Sequence, residues 1–136
     1  MLGTTKYITL EAAKIMMAAA EAEALKNNWT MAIAIVDAAG NLILFQKLDD
    51  TQPGSIAVAL NKAKTSANFK RPTKAMEDLV SGGRTVFLAI DGLLPLQGGV
   101  PVVVEGKVIG AVGASGGTAA QDEQVALSAV NALLQK

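Results

Sequence analysis

The residues best suited to ligand chemistry lie in a glycine-rich stretch over 110–118, where an apolar run passes into an amphipathic one. Gly116 and Gly117 allow a backbone to approach a ligand closely, and Ser115 adds a hydroxyl. The free N–H groups and the dipole of a helix that starts here favour an anion such as a carboxylate or phosphate. The spacing is neither a dinucleotide fingerprint nor a P-loop. A strand–helix turn that needs glycine for its own geometry explains the same residues, and the pattern alone favours that explanation.

A second candidate is a basic run with no acidic residue between Asp50 and Glu77. Its members are Lys62, Lys64, Lys70, Arg71 and Lys74. Such a run receives carboxylates, although a solvated helix face is its more usual role. Lys62 is the first choice as a ligand contact. It lies beside the apolar stripe marked by Ala59 and Ala63, so its stem can pack while its ammonium reaches a cleft edge. Lys64 should be more exposed.

Composition excludes several kinds of chemistry. There is no cysteine and no histidine among the 136 residues. Disulfides, thiol catalysis and histidine ligation of a metal or heme are therefore absent. A third candidate is the acidic set Asp37, Asp49 and Asp50, because paired carboxylates can do acid–base work or bind a hard cation. Turn formation explains all three, no calcium-loop spacing is present, and we expect no metal site. Lys plus Arg equals Asp plus Glu at 12 each, so no overall charge points to nucleic acid or to an anionic membrane.

The element pattern predicts an α/β (α+β) protein with a mostly antiparallel sheet flanked by helices. Thr9 and Ser55 are the expected caps of the first and second helices, and Thr118 with Gln121 stands in capping-box spacing before the last one. Glu105-Gly106, between the last two strands, indicates a tight hairpin. The predicted helices are 9–27, 56–69, 73–80 and 119–135. The predicted strands are 29–37, 42–48, 85–90, 100–104 and 107–114, of which 85–90 has the weakest pattern.

Residues 1–136 are expected to form a single domain of ordinary size. No stretch is long and apolar enough for a membrane span, and no signal-peptide pattern is present, so we expect a cytoplasmic protein. Apolar residues make up 51% of the chain, much of it alanine and valine. Extra apolar surface of this kind suits subunit contacts, and we therefore expect a homo-oligomer.

Three stretches resemble the GlcG/HbpS family, which also supplies the C-terminal half of PduO-type cobalamin adenosyltransferases. The longest covers 98–123 and reads GGVPVVVEGKVIGAVGASGGTAAQDE; the others cover 34–42 and 59–65. The resemblance implies a profilin-like fold with a five-stranded antiparallel sheet, an oligomer, and heme binding or degradation as in some members. The ligand-binding candidates within these stretches are Lys62, Thr65, Gly98, Gly99, Ser115, Gly116 and Gly117.

The chain departs from the family pattern in two places. Lys47-Leu48-Asp49-Asp50 stands where members often carry Arg-Met-Asp-Gly, and no histidine is available for heme iron. A lysine, Tyr7, a methionine or a hydroxyl is left as an axial ligand. The leading hypothesis is a binding module for a small anionic organic molecule, with heme or a related tetrapyrrole as the named candidate. The alternatives are an enzyme that acts on a small hydroxy- or keto-acid, with Lys62 as base or clamp, and a structural subunit of an assembly.

Overall fold

A computed structural model describes residues 1–134. Four helices, one short 3-10 helix and four strands follow each other along the chain. They are α1 (Leu10–Lys26), β1 (Ala32–Asp37), β2 (Leu42–Lys47), α2 (Gly54–Phe69), α3 (Thr73–Ser81), the 3-10 helix (Thr85–Ala89), β3 (Gly99–Val104), β4 (Lys107–Ser115) and α4 (Ala119–Leu134). The predicted last residue of α4, at position 135, lies outside the described residues.

The strands form one antiparallel sheet in the order β2-β1-β4-β3, with two hairpins joined through the central β1–β4 pair. Helices α1 and α4 pack on each other and on one face of the sheet, while α2 covers the other face against β1, β3 and β4. Alternating side chains of the strands point to opposite faces. Ile33 and Ile35 of β1 accordingly join the larger core cluster, whereas Ala34 and Val36 join the cluster beneath α2.

The helix starts at both ends of the chain follow the sequence signals. The Thr9 hydroxyl accepts the Ala12 N–H at 3.1 Å at the start of α1. At the start of α4 the Gln121 side chain accepts the Thr118 N–H at 3.0 Å, and the Thr118 hydroxyl accepts the Gln121 N–H at 3.2 Å. This reciprocal pair is the predicted capping box. The predicted Ser55 cap is wrong, because α2 begins at Gly54, two residues before the predicted start, and Pro53 precedes it without a side-chain cap.

The sheet has four strands in the described residues, and the prediction of a fifth over 85–90 is wrong. The segment forms the 3-10 helix instead, with the Phe87 N–H bonded to the Arg84 carbonyl and the Ile90 N–H to the Phe87 carbonyl. Its side chains are nearly all apolar and lack the alternation of a half-buried strand. Local bonds satisfy the backbone without a sheet partner, and Val86 and Leu88 stay exposed. None of the described helices has the length and hydropathy to cross a bilayer.

Candidate functional site

Lys62 occupies the centre of a buried polar cluster between α2 and the start of α4. Its ammonium donates to an Asp122 carboxylate oxygen at 2.9 Å and to the Ala114 carbonyl at 3.0 Å. Only 1% of Lys62 and 4% of Asp122 is exposed. The expectation that this ammonium reaches a cleft edge is therefore wrong. Lys64, two residues along the same helix, is exposed as predicted.

Asp122 links the buried ammonium to the glycine turn. One carboxylate oxygen accepts from Lys62, and the other accepts the Gly117 N–H at 2.9 Å. Burial raises the pKa of Asp122 above its ordinary value, although the bonds from Lys62 and Gly117 act in the opposite direction. The turn thus binds a carboxylate of its own chain, at a position where the sequence suggested an external anion.

Gly98 and Gly99 allow the loop before β3 to pass close to α2. A Cβ at Gly98, where φ is +134°, would lie 2.7 Å from the Lys62 Nζ and 2.8 Å from the Ala114 carbonyl oxygen. A Cβ at Gly99 would lie 2.9 Å from the Lys62 carbonyl carbon and 2.8 Å from the Thr73 methyl group. A side chain at Gly99 would collide with the α2 backbone, and one at Gly98 with the β4 backbone and the Lys62 ammonium, so both glycines are needed for packing.

The hydroxyls near this cluster all have partners within the chain. Thr65 donates to the Asn61 carbonyl at 2.7 Å and accepts the Leu94 N–H at 2.9 Å, so it holds the loop that follows the 3-10 helix. Ser115 donates to the Ser55 hydroxyl at 3.3 Å. Thr73, at the start of α3, accepts the Gly99 N–H at 2.8 Å. These groups anchor segments to one another.

The two glycines of the turn differ in geometry. Gly116 has φ +153°, and a Cβ there would lie 3.0 Å from the Met31 Cα and closer still to the Thr30 carbonyl oxygen. Gly117 is not among the residues with positive φ, and its nearest neighbour would be the flexible end of Gln121. Positive φ and close contact with another backbone segment therefore both occur at Gly116, whereas the sequence did not distinguish Gly116 from Gly117.

The structure therefore brings some of the predicted site residues together and leaves others apart. Lys62, Gly98, Gly99 and Gly117 lie around one ammonium–carboxylate pair, while Thr65 and Ser115 bond to neighbouring segments. Sequence reasoning missed Asp122 as the partner of Lys62, because an acidic residue in the first turn of a helix is already explained by the helix dipole. The resemblance stretches held both residues, but neither stretch indicated that they pair across 60 positions.

The rest of the basic run is spread over the surface. Lys74 forms an i,i+4 ion pair with Asp78 at 2.9 Å, and the Arg71 guanidinium donates to the Phe69 carbonyl. Lys70 has φ +56° and ends α2. Asp37 accepts the Ala39 and Asn41 N–H groups at 2.9 Å each, which is the predicted turn role. In residues 1–134 no three acidic side chains are grouped as a metal site would require.

Open concave surface lies at the other end of the sheet, where the N-terminal segment passes beside the β3–β4 hairpin. One concavity of about 340 Å³ is lined by Tyr7 and Lys6 together with apolar side chains of α1, β3, β4 and α4. A neighbouring one of about 250 Å³ shares Lys6, Val104 and Ile109 and adds Lys107. A third, of about 480 Å³, lies at the opposite end of the sheet, beside the loop after β2, and contains Trp29 and Leu48.

The protein is thus of the α+β class, with an antiparallel sheet between helices and a buried Lys–Asp pair at one end. Residues 8–131 match the family described as "Haem degrading protein HbpS-like". The chain is 44% identical to Protein GlcG of Escherichia coli (strain K12) over 112 residues, which cover 82% of this chain and 84% of that one. The chain belongs to the HbpS-like family, and GlcG is one of its relatives.

Solved structures agree with this assignment. The protein ORFY of Klebsiella pneumoniae superimposes with a TM-score of 0.90 at 33% identity, covering 100% of this chain and 98% of that one. A structure described as a PduOC:heme complex has a TM-score of 0.84 at 26% identity and covers 93% of this chain and 95% of that one. The family and this neighbour are consistent with a heme-related binding module.

The residues present meet the general needs of a heme site only in part. An apolar slot with a few polar groups at its edge is the usual form of a cofactor pocket, and the concavity beside Tyr7 has that form. Histidine is absent from the sequence, so an oxygen, sulfur or amine donor must take its place at the iron. The cluster around Lys62 is filled by its own side chains and glycines and has no comparable slot among the concavities described.

Proposed function

We propose that this protein is a tetrapyrrole-binding module that holds heme, or a closely related macrocycle, without histidine ligation. The observation that carries the proposal is the match of residues 8–131 to the HbpS-like family. The similarity to a neighbour described as a heme complex supports it. Bound heme would supply an iron centre, and the protein would supply an apolar slot and an anion-accepting edge.

The geometry favours binding over acid–base catalysis by Lys62. A base or an electrostatic clamp must reach the substrate. Lys62 is bonded to Asp122 and Ala114, and almost none of its surface is exposed. For that reason the action of Lys62 on a small hydroxy- or keto-acid is the weaker hypothesis. Direct ligand contact by Thr65, Gly98, Gly99, Ser115, Gly116 or Gly117 stays a prediction, and each of these residues already has a packing or hydrogen-bonding role.

A homo-oligomer is part of the same proposal. Val86, Leu88, Ile90 and Leu96 form an exposed apolar set on the 3-10 helix and the loop that follows it. Apolar surface grouped in this way is more typical of subunit contacts than of a monomer. The family resemblance supports the same expectation.

The proposal is tested by identifying the small molecules that copurify with the protein when it is produced with hemin in the growth medium. Absorbance and mass spectrometry of the purified protein should show a tetrapyrrole in amounts that rise with the hemin supply. A small carboxylic acid in its place would favour the metabolite enzyme. Protein that carries neither, and that leaves all added hemin in the buffer, would argue against a binding module of this kind.

A further inference from the structure

The N-terminal segment places the chain's single tyrosine beside an apolar groove. Tyr7 is 75% exposed, whereas the next residue, Ile8, is only 5% exposed and belongs to the core. The groove floor is formed by Ile8, Ala12, Val104, Ile109 and Leu133. Tyr7 lines this groove, whose other lining residues are apolar except for Lys6.

Positive charge lines the same rim. Lys6 lies in both the 340 Å³ and the 250 Å³ concavities, and Lys107 in the second. Lys70 and Lys107 line a further concavity on the outer side of the hairpin. Glu105 is the opposing charge, and it pairs with Lys6 at 3.0 Å where both side chains are largely exposed. A pair so exposed is easily exchanged for another anion, because its free energy is small.

We propose that this groove, which we call the Tyr7 groove, is the site of a ferric tetrapyrrole: Tyr7 is the axial ligand of the iron and Lys6 and Lys107 receive the carboxylates of the macrocycle. The assignment rests on the function proposed above. A tyrosine oxygen is an established axial ligand of heme iron. On binding, the phenol oxygen would bond to Fe(III) in place of the water or hydroxide that hemin carries there, and the phenol proton would pass to solvent, with no change in the oxidation state of the iron.

Three features fit this occupant together. The floor is apolar, as the faces of a porphyrin require. Lys6 lines the groove and Lys107 the adjoining 250 Å³ concavity, where the carboxylates of the macrocycle need cations. Tyr7, which carries the oxygen donor, and Lys6 line the same concavity. The groove also lies at the hairpin end of the sheet, whereas the Lys62 cluster lies where β3 begins and β4 ends. The two sites can therefore be altered independently.

The test compares the wild-type protein with Tyr7→Phe in titrations with hemin and with metal-free protoporphyrin. Tyr7→Phe keeps the ring and removes the oxygen, and because Tyr7 is exposed the variant should keep its melting temperature. We expect loss of the iron–phenolate charge-transfer absorption and of the phenolate bands in resonance Raman spectra. Hemin affinity should fall at least about tenfold, equivalent to about 1.4 kcal/mol. Affinity for metal-free protoporphyrin should change little.

The carboxylate contacts have their own variant and control. The double variant Lys6→Met/Lys107→Met should weaken hemin and metal-free protoporphyrin alike, while Lys64→Met, an exposed lysine on α2, should change neither. Unchanged hemin spectra and affinity in Tyr7→Phe would overturn the assignment of the groove while leaving the proposed function in place. A wild-type protein that binds no hemin would overturn both.

Discussion

The Lys62 ammonium and the Asp122 carboxylate lie 2.9 Å apart and tie the second helix to the last one. The two residues are 60 positions apart in the chain, and both side chains are almost fully withdrawn from solvent. Asp122 also accepts the Gly117 N–H. One ion pair therefore fixes the relative position of α2, α4 and the turn that joins β4 to α4.

Lys62→Met should destabilise the protein strongly. The change leaves Asp122 buried without its cation, and removal of one partner of a buried pair costs about 3–5 kcal/mol. Urea unfolding of the variant should show that loss. This differs from the expectation for a lysine at a cleft edge, where Met would keep the packing of the stem and cost little stability.

Lys64→Met is the matched control, because it changes the same residue type on the exposed side of the same helix. It should alter the free energy of unfolding by less than about 0.5 kcal/mol. The double variant Lys62→Met/Asp122→Leu should recover part of the loss, since no buried charge is left unpaired. Equal free energies of unfolding for Lys62→Met and Lys64→Met would show that the pair contributes nothing.

Asp122 should also give the stability a pH dependence of defined sign. Its pKa in the folded protein is raised, chiefly by burial, so the folded state holds the proton to higher pH than the unfolded state. The contribution of Asp122 to the free energy of unfolding is fully present below its pKa in the unfolded chain, about 3.9. It is lost as pH rises through the pKa of Asp122 in the folded protein. The free energy of unfolding of the wild type minus that of Asp122→Asn should therefore fall as pH rises through this window, then level off.

The opposite slope would be equally informative. If the difference between wild type and Asp122→Asn rises with pH over the same window, attraction by Lys62 outweighs the effect of burial, and the folded pKa is lowered. Matched urea titrations of both proteins at several pH values above and below 4 supply the difference directly, and the other carboxylates cancel to first order.

Gly116→Ala should cost more stability than Gly117→Ala. Gly116 combines positive φ with close contact to the backbone of Thr30 and Met31, so a methyl group forces a backbone shift. We expect a loss on the order of 1–3 kcal/mol. Gly117→Ala meets side chains only, those of Gln121 and the flexible end of Met31. Its cost should therefore be close to that of the Gln121 capping bond, about 1 kcal/mol. Thermal melts of the two variants check the order, and a reversed order would contradict this account of the turn.

Assembly is tested by mass in solution. Light scattering at micromolar concentration should return a multiple of the 14.0 kDa chain. Val86→Ser/Leu88→Ser, on the exposed 3-10 helix, should lower that mass if this surface is the contact. A mass of one chain for the wild type throughout the concentration range would contradict the expected oligomer.

Much of the fold could be predicted because its signals are local. The capping pair Thr118 and Gln121, the Thr9 cap and the Glu105-Gly106 hairpin each act within a few residues, and all are observed. The segment 85–90 could not be predicted in this way. A short apolar run fits a strand or a helical turn equally well. In the structure this segment forms local backbone bonds, from the Phe87 N–H to the Arg84 carbonyl and from the Ile90 N–H to the Phe87 carbonyl.

The candidate site was harder to predict for a physical reason. The sequence indicated that Lys62 and the glycines of 98–99 and 116–117 are candidate ligand contacts. In the structure, Gly98, Gly99 and Gly117 do lie near the Lys62–Asp122 pair. It could not show that Asp122 satisfies the lysine, because a contact across 60 residues leaves no periodic trace. Tyr7 was named only as one possible iron ligand, since nothing local reveals that the N-terminal segment passes beside the hairpin.

The central claim is that this chain binds a tetrapyrrole, and a hemin titration tests it most directly. Purified wild-type protein is titrated with hemin at fixed ionic strength, and absorbance is followed against a protein-free control. We expect a saturable change in absorbance and a heme spectrum unlike that of a bis-histidine complex. A titration that follows the protein-free control at every hemin concentration would contradict it.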